Sequence, residues 1–132
     1  MEQITAAAMS GGVDSTAAAL LLLRGGHTVE GVTLRLAPCG QDGAEDARAA
    51  ARALNIPHHL FDLTGPFQAQ VVEPFVRAYE MGRTPNPCVE CNRRIKFGAL
   101  LELARARGWA RVATGHYARL DLDAGSGRWL LK

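Results

Sequence analysis

Hydrophobic and polar positions along the chain alternate between two rhythms. Gln3 to Met9 is a short apolar run that reads as a buried strand, although its alanines carry little strand propensity. Ser15 to Arg24 reads as a helix ended by Gly25-Gly26. Thr28 to Leu34 alternates well enough for a second strand. Asp42 and Glu45 have the spacing of a capping box that would open a helix from Gly43 to Leu54, closed by Asn55 and Pro57. His58 to Asp62 is a third short strand. Pro66 to Met81 is helical in pattern, bent or interrupted at Pro74. Thr84 to Cys91 reads as loop, and Asn92 caps a helix running to about Arg107. Arg111 to Thr114 is a fourth strand, and Tyr117 to Leu131, with Gly125-Ser126-Gly127 at its middle, is a β-hairpin.

Strands and helices alternating at this spacing imply right-handed crossovers. The expected fold class is α/β, a doubly wound parallel sheet with helices on both faces and a C-terminal β-hairpin. Ligands in such folds sit beyond the carboxyl ends of the strands. With 132 residues the chain is expected to form one domain, 1–132. Val71, Val72, Phe75, Val76 and Tyr79 recur at helical spacing and are expected in the core. Trp109 is expected to pack where a helix meets the fourth strand, and Trp129 on the hairpin to be exposed.

Composition adds three constraints. No apolar run approaches the roughly 20 residues that span a bilayer, and Met1 to Ala8 lacks the basic start of a signal peptide. Three cysteines, two of them clustered, point to a reducing cytoplasm and to cysteine chemistry, not to a disulfide framework. Between Arg77 and Arg111 eight basic residues face three acidic ones, while the rest of the chain is net acidic. Such a block is either a docking site for a phosphate backbone or a set of solvated helix faces.

Ser10-Gly11-Gly12-Val13-Asp14-Ser15 lies directly between the first strand and the first helix. Glycines there let the backbone approach a ligand, and consecutive amides, a helix N-terminus and two serine hydroxyls make an anion cradle. The run fits neither G-x-x-x-x-G-K-[ST] nor G-x-G-x-x-G. Asp14 would repel a bare phosphate, which suggests a Mg²⁺ partner or a capping role. S-G-G-x-D-S resembles the signature of the PP-loop ATP pyrophosphatases. That resemblance implies ATP binding and cleavage between the α and β phosphates, with no choice of substrate.

The choice comes from a second run. Gly82-Arg83-Thr84-Pro85-Asn86-Pro87-Cys88-Val89-Glu90-Cys91-Asn92 is followed by Ile95-Lys96-Phe97-Gly98. Two prolines stiffen the loop, and Cys91 beside a helix start and Arg93, Arg94 or Lys96 is expected to have a depressed pKa and to alkylate first. Together with Ala113-Thr114-Gly115-His116-Tyr117-Ala118-Arg119, this closely resembles the tRNA-specific 2-thiouridylase family, from Ala8 to about Lys132. Carried over, Cys91 matches the catalytic cysteine, and Asn86, Pro87 and Cys88 match the loop touching the target base. Ala8, Met9, Ser10, Gly11, Gly12, Val13, Asp14, Ser15, Leu34 and Gly115 match ATP-contacting positions. The resemblance implies adenylation of the wobble uridine O2 by ATP with Mg²⁺, then attack by a persulfide sulfur. It implies tRNA and a sulfur-donor protein as partners.

Two departures leave alternatives open. The second cysteine of the family scheme is not in this chain, which keeps alive an ATP- and tRNA-binding module without turnover, beside another PP-loop adenylating enzyme. Cys88 stands where many relatives have Asp, so a metal or iron–sulfur reading of Cys88 and Cys91 stays open, though Cys88-x-x-Cys91 is only half a zinc site. His58-His59 lacks ligand spacing, and Cys39 is a loop residue or a redox partner. His116 is a phosphate or ribose contact, or a loop histidine satisfied by backbone. Asp62 binds Mg²⁺ or is a turn aspartate.

Overall fold

The computed structural model describes residues 2–37 and 43–132. Four strands, β1 (Ile4–Ala8), β2 (Thr28–Arg35), β3 (His58–Asp62) and β4 (Arg111–Ala113), pair in the order β3-β2-β1-β4, every pair parallel. The expected α/β class and parallel sheet are both present. Helix α1 (Val13–Arg24) follows β1 and α2 (Ala44–Ala53) follows β2. A longer helix over 64–80 follows β3, and another over 87–107 leads into β4. β5 (Leu120–Leu122) and β6 (Trp129–Leu131) form the expected antiparallel hairpin.

Strand alternation sorts the side chains onto two faces. Ala7 and Val29 meet Ala19 of α1, while Met9 meets Ala47 and Ala51 of α2. On the other face Ala6 and Val32 meet Leu100, Ala104 and Trp109. The weak propensity of Ala6-Ala7-Ala8 is thus offset by position: β1 is interior, paired on both sides, and small side chains let helices approach both faces. Trp109 is buried at the junction expected for it, with edge and tilted contacts to Phe61 and His59.

Both longer helices contain π-helical segments, Gln68–Val72 and Asn92–Ala99. The first stands just before Pro74, where the ring removes one donor and crowds the preceding turn. The helix widens there instead of breaking, and Glu73 N–H donates to the Gln68 carbonyl. The second has a packing cause. Cys91, Ile95, Leu100 and Ala104 are the buried residues of the 87–107 helix, a spacing of four, five and four. In an α-helix a step of five overshoots one turn by about 1.4 residues, which would swing Leu100 away from the core. A turn that closes on the fifth residue keeps it inside.

Two expectations are corrected here, and a third rests on a residue that lies outside the described ones. The helix expected from Asn92 begins at Pro87, since Asn86 is extended and Pro87 takes the first helical position, where a missing N–H costs nothing. Cys88 and Cys91 therefore lie in the helix and not in a loop before it. Of the five residues expected in the core of the 64–80 helix, Val71 is buried, but Val76 and Tyr79 are 48% and 55% exposed. That helix sits outside the sheet, and its Val71 packs with Cys91 and Ile95 while its C-terminal half is uncovered. Helix α2 starts at Ala44 after Gly43, with no side-chain cap bond; Asp42, like Cys39, lies outside the described residues.

One buried polar link crosses the sheet. Thr33 Oγ1 donates to the Met9 carbonyl at 2.7 Å and stands 2.8 Å from His58 Nε2. A hydroxyl has one proton, so His58 Nε2–H must be the donor to Thr33. Burial, then Arg48, then His59 lower the His58 pKa below its ordinary value. Folding thus favours neutral His58, whose contribution is complete above about pH 6.5 and is lost as pH falls through the folded-state pKa. The melting temperature should decline as pH is lowered below about 6.5, and His58→Gln should flatten that decline. Parallel pH profiles for the two proteins would show that His58 does not titrate with folding.

Candidate nucleotide site and cysteine segment

The Ser10–Ser15 turn leaves the carboxyl end of β1 and enters α1. Ser15 is buried and pins it: its Oγ accepts the Ser10 N–H at 3.1 Å, lies 3.3 Å from Ser10 Oγ and donates to the Gly12 carbonyl at 3.4 Å. The Ser15 hydroxyl, expected in the anion cradle, is thus committed to the turn's own backbone, while Ser10 is exposed. Asp14 sits in the first turn of α1, and its Oδ1 accepts the Tyr117 hydroxyl at 2.7 Å. That bond and the nearby Asp14 charge raise the Tyr117 pKa. Asp14 therefore does not cap α1; Gly12 stands at the cap, with no side-chain bond.

Two loops close on this turn. A Cβ on Gly115 would stand 2.8 Å from Ser15 N and 3.0 Å from Ser15 Cα. Only glycine allows that approach, which carries Thr114, Gly115 and His116 to the start of α1. Between these loops, the end of β2 and the 87–107 helix lies a cavity of about 390 Å³, within the roughly 300–1,000 Å³ range of small-molecule sites. Its lining combines apolar side chains, Val32, Leu34, Leu36 and Leu100, with the polar Ser10, Asp14, Lys96 and His116. Such a mixture, with a helix N-terminus and a cation beside apolar surface, suits a ligand that joins an apolar ring to an anionic group.

Of the sequence-expected positions, Ala8, Met9, Ser10, Asp14, Ser15, Leu34 and Gly115 line the cavity. Gly11, Gly12 and Val13 shape the turn without lining it, and Val13 is 84% exposed. His116 lines the cavity, its Nδ1 2.9 Å from Thr114 Oγ1 and its ring tilted on Phe97. Its partner is a side chain, not backbone. Asp62 is the turn aspartate: its Oδ1 accepts both the Thr64 N–H and the Thr64 hydroxyl, which lower its pKa.

Cys91 departs from expectation. It is 8% exposed, packed with Val71 and Ile95, and Leu34, Leu36, Leu63 and Phe67 lie against that cluster. Burial raises its pKa; the Lys96 ammonium opposes the rise and Cys88 adds to it. The direction is opposite to the expected depression, because desolvation by apolar neighbours outweighs one cation. Cys88 is exposed, as are Asn86 and the basic residues Arg77, Arg83, Arg93 and Arg105. Arg94 pairs with Glu90 at 2.8 Å, and Arg107 lies over the Phe61 and Trp109 rings. Among the described residues no three His, Cys, Asp or Glu side chains gather to hold a metal ion, so Cys88 and Cys91 bring two donors and no third. These two supply half of the four protein donors that an iron–sulfur cluster takes. No helix in the described residues is long and apolar enough to cross a membrane.

A family model described as the tRNA methyl transferase HUP domain matches residues 3–132. The chain belongs to this family. Its relatives include a tRNA-specific 2-thiouridylase MnmA 1 of Syntrophus aciditrophicus, 46% identical over 134 residues, covering 95% of this chain and 36% of the relative. A tRNA-specific 2-thiouridylase MnmA of Roseiflexus castenholzii is 52% identical over 127 residues, covering 88% and 34%. The chain spans about a third of the length of the curated relatives it matches. Among solved structures, a predicted subunit of tRNA methyltransferase from Methanocaldococcus jannaschii has a TM-score of 0.62 at 17% identity, over 86% of this chain and 53% of that one. The NMN synthetase of Francisella tularensis has a TM-score of 0.55 at 21% identity, over 84% and 44%. At these identities the structures share the fold. The resemblance to 2-thiouridylases read from the cysteine run holds at the level of the family.

Sequence reasoning missed Lys96 as a cavity residue, along with Val32, Thr33, Leu36, Leu100 and Thr114. The five-residue step from Ile95 to Leu100 is a signal that could have found Lys96, since it marks the widened turn beside it. The Asn86-Pro87 pair likewise marks the true helix start. With iodoacetamide near neutral pH, Cys88 should be modified before Cys91, and Cys91 should need a higher pH than an ordinary thiol. Partial-alkylation mapping by mass spectrometry reads the order directly; Cys91 labelling first would mean that the apolar packing around it is not the solution state.

Proposed function

We propose that this family member binds ATP with Mg²⁺ in the cavity and serves both the adenylation and the sulfur-transfer steps of tRNA 2-thiolation, as a tRNA-uridine 2-sulfurtransferase. The observation that carries the reading is the joining of two features at one place: the Ser10–Ser15 turn opening α1, and the apolar wall at the end of β2. The names of the relatives, tRNA-specific 2-thiouridylases, supply the substrate class.

The reaction balances with these parts. The uridine O2 attacks the α-phosphorus of ATP, the bond to the β-phosphate oxygen breaks, and pyrophosphate leaves. The terminal sulfur of a persulfide from a sulfur-donor protein then attacks C2, and the C2–O bond breaks with loss of AMP. A thiol must finally cleave the S–S bond to the carrier. We assign that role to Cys91, which ends in a disulfide with the carrier cysteine. Asn86, Pro87 and Cys88, at the start of the same helix, are assigned to the target base. Mg²⁺ would supply charge neutralisation on the phosphates, with Asp14 as the carboxylate that would hold it. The burial of Cys91 has to be relieved when RNA docks. In the alkylation experiment above, tRNA should therefore speed the labelling of Cys91.

Calorimetric titration of ATP with Mg²⁺ should show binding that weakens about tenfold in Ser15→Ala, which loses the acceptor of the Ser10 N–H and the pin of the turn. Equal affinity in the variant would move the nucleotide away from this turn. For tRNA, affinity should fall steeply with salt, and Arg93→Ala, an exposed residue, should reduce the logarithmic slope by about one. Arg94→Ala should change it less, because Glu90 already neutralises that guanidinium. A slope that ignores both variants would reduce the basic block to a solvated surface.

A further inference from the structure

Two charged side chains of fixed sign line the cavity, Asp14 and Lys96. Asp14 comes from the first turn of α1 and Lys96 from the π-helical segment Asn92–Ala99, two different elements. Among the described residues no carboxylate pairs with Lys96, whereas Asp14 is already held by Tyr117. The Ser15 hydroxyl is spent on the turn, which leaves backbone amides and the Ser10 hydroxyl as neutral donors there. A helix N-terminus offers roughly half a positive charge, and Asp14 more than cancels it. Without a metal ion at Asp14 a polyphosphate would meet net repulsion there. Of the side chains lining the cavity, Lys96 carries the fixed positive charge that can compensate.

Resting on the nucleotide reading above, we propose that Lys96 is the phosphate-selecting residue of the cavity, its ammonium facing the phosphates that the Ser10–Ser15 turn holds from the other side. Its place follows from the packing of its helix. Ile95 and Leu100 are each 1% exposed and sit in two separate core clusters, one with Cys91 and one against the sheet. The widened turn between them satisfies both, and Lys96, next to Ile95, is left exposed at the cavity. A lysine acts there as a mobile point charge that follows a phosphate as it leaves. The apolar wall of Leu34, Leu36 and Leu100 holds a nucleoside with or without this charge, so Lys96 decides between nucleotide and nucleoside.

The test titrates the protein with ATP, inorganic pyrophosphate and adenosine separately, for wild type, Lys96→Met and Lys96→Arg. Lys96→Met should weaken ATP and pyrophosphate by about tenfold to a hundredfold, leave adenosine unchanged and flatten the salt dependence of ATP binding. Lys96→Arg should restore most of the loss. A melting temperature for each variant separates lost charge from lost fold, and Lys96→Gln serves in place of Lys96→Met if the latter does not fold. An ATP-to-adenosine affinity ratio that is the same in wild type and the neutral variants overturns the assignment and leaves the nucleotide reading standing. A wild type that binds neither ATP nor pyrophosphate overturns both.

Discussion

The Gly43 carbonyl sits 2.7 Å from where a Cβ on Gly11 would be, and the amide of Ser15 sits 2.8 Å from where one on Gly115 would be. Loops after β1, β2 and β4 therefore meet as bare backbone, and the rest of the site is arranged around that contact. Gly11 and Gly43 both take positive φ, so a side chain would strain the turn as well as collide. Backbone packed on backbone fixes the turn without long side chains, leaving its outer side to the cavity. Ser15 closes the arrangement from within, tying the first and third residues of the turn to the first turn of α1.

The same turn is anchored from the sheet. Thr33 on β2 holds the Met9 carbonyl, the last backbone group before Ser10, and His58 on β3 holds Thr33. Met9 in turn fills the space that Gly31 leaves empty, where a Cβ would lie 2.8 Å from its sulfur. Three neighbouring parallel strands thus converge on one residue, and the order β3-β2-β1 in the sheet is what brings them there. A buried hydroxyl with two partners is satisfied, so this link costs no unpaired group.

Much of this was legible in the sequence because the relevant signals are local. Alternation in TVEGVTL, the Gly-Gly stop after Arg24 and the Ser-Gly-Gly turn each depend on near neighbours, and each sits where expected. The failures come from signals read against the wrong frame. Cys91 looked polar and exposed because Pro85, Asn86 and Pro87 surround it in sequence, yet Pro87 opens a helix whose fifth residue turns inward onto Val71. Burial then reversed the expected shift of its pKa. Val76 and Tyr79 obey helical periodicity and still face outward, because periodicity names a face and not what covers it. Lys96 was read as part of a basic block, and only the π-turn shows that its wall differs from that of Arg93 and Arg94.

That division matters for how the two halves of the site relate. Leu34 and Leu36, at the end of β2, line the cavity on one side and pack against the Cys91 cluster on the other. One pair of side chains thus lies between the cavity and the thiol, with no polar group of its own to bridge them. Lys96 stands at the same boundary, lining the cavity while its charge acts on Cys91. A phosphate in the cavity would draw on the charge that otherwise opposes the rise in the Cys91 pKa, because one ammonium cannot fully serve two anions. In the proposed sequence persulfide attack expels AMP and the Cys91 step comes last, so Lys96, placed by the helix packing, stands where it can serve the phosphate first and the thiol afterwards.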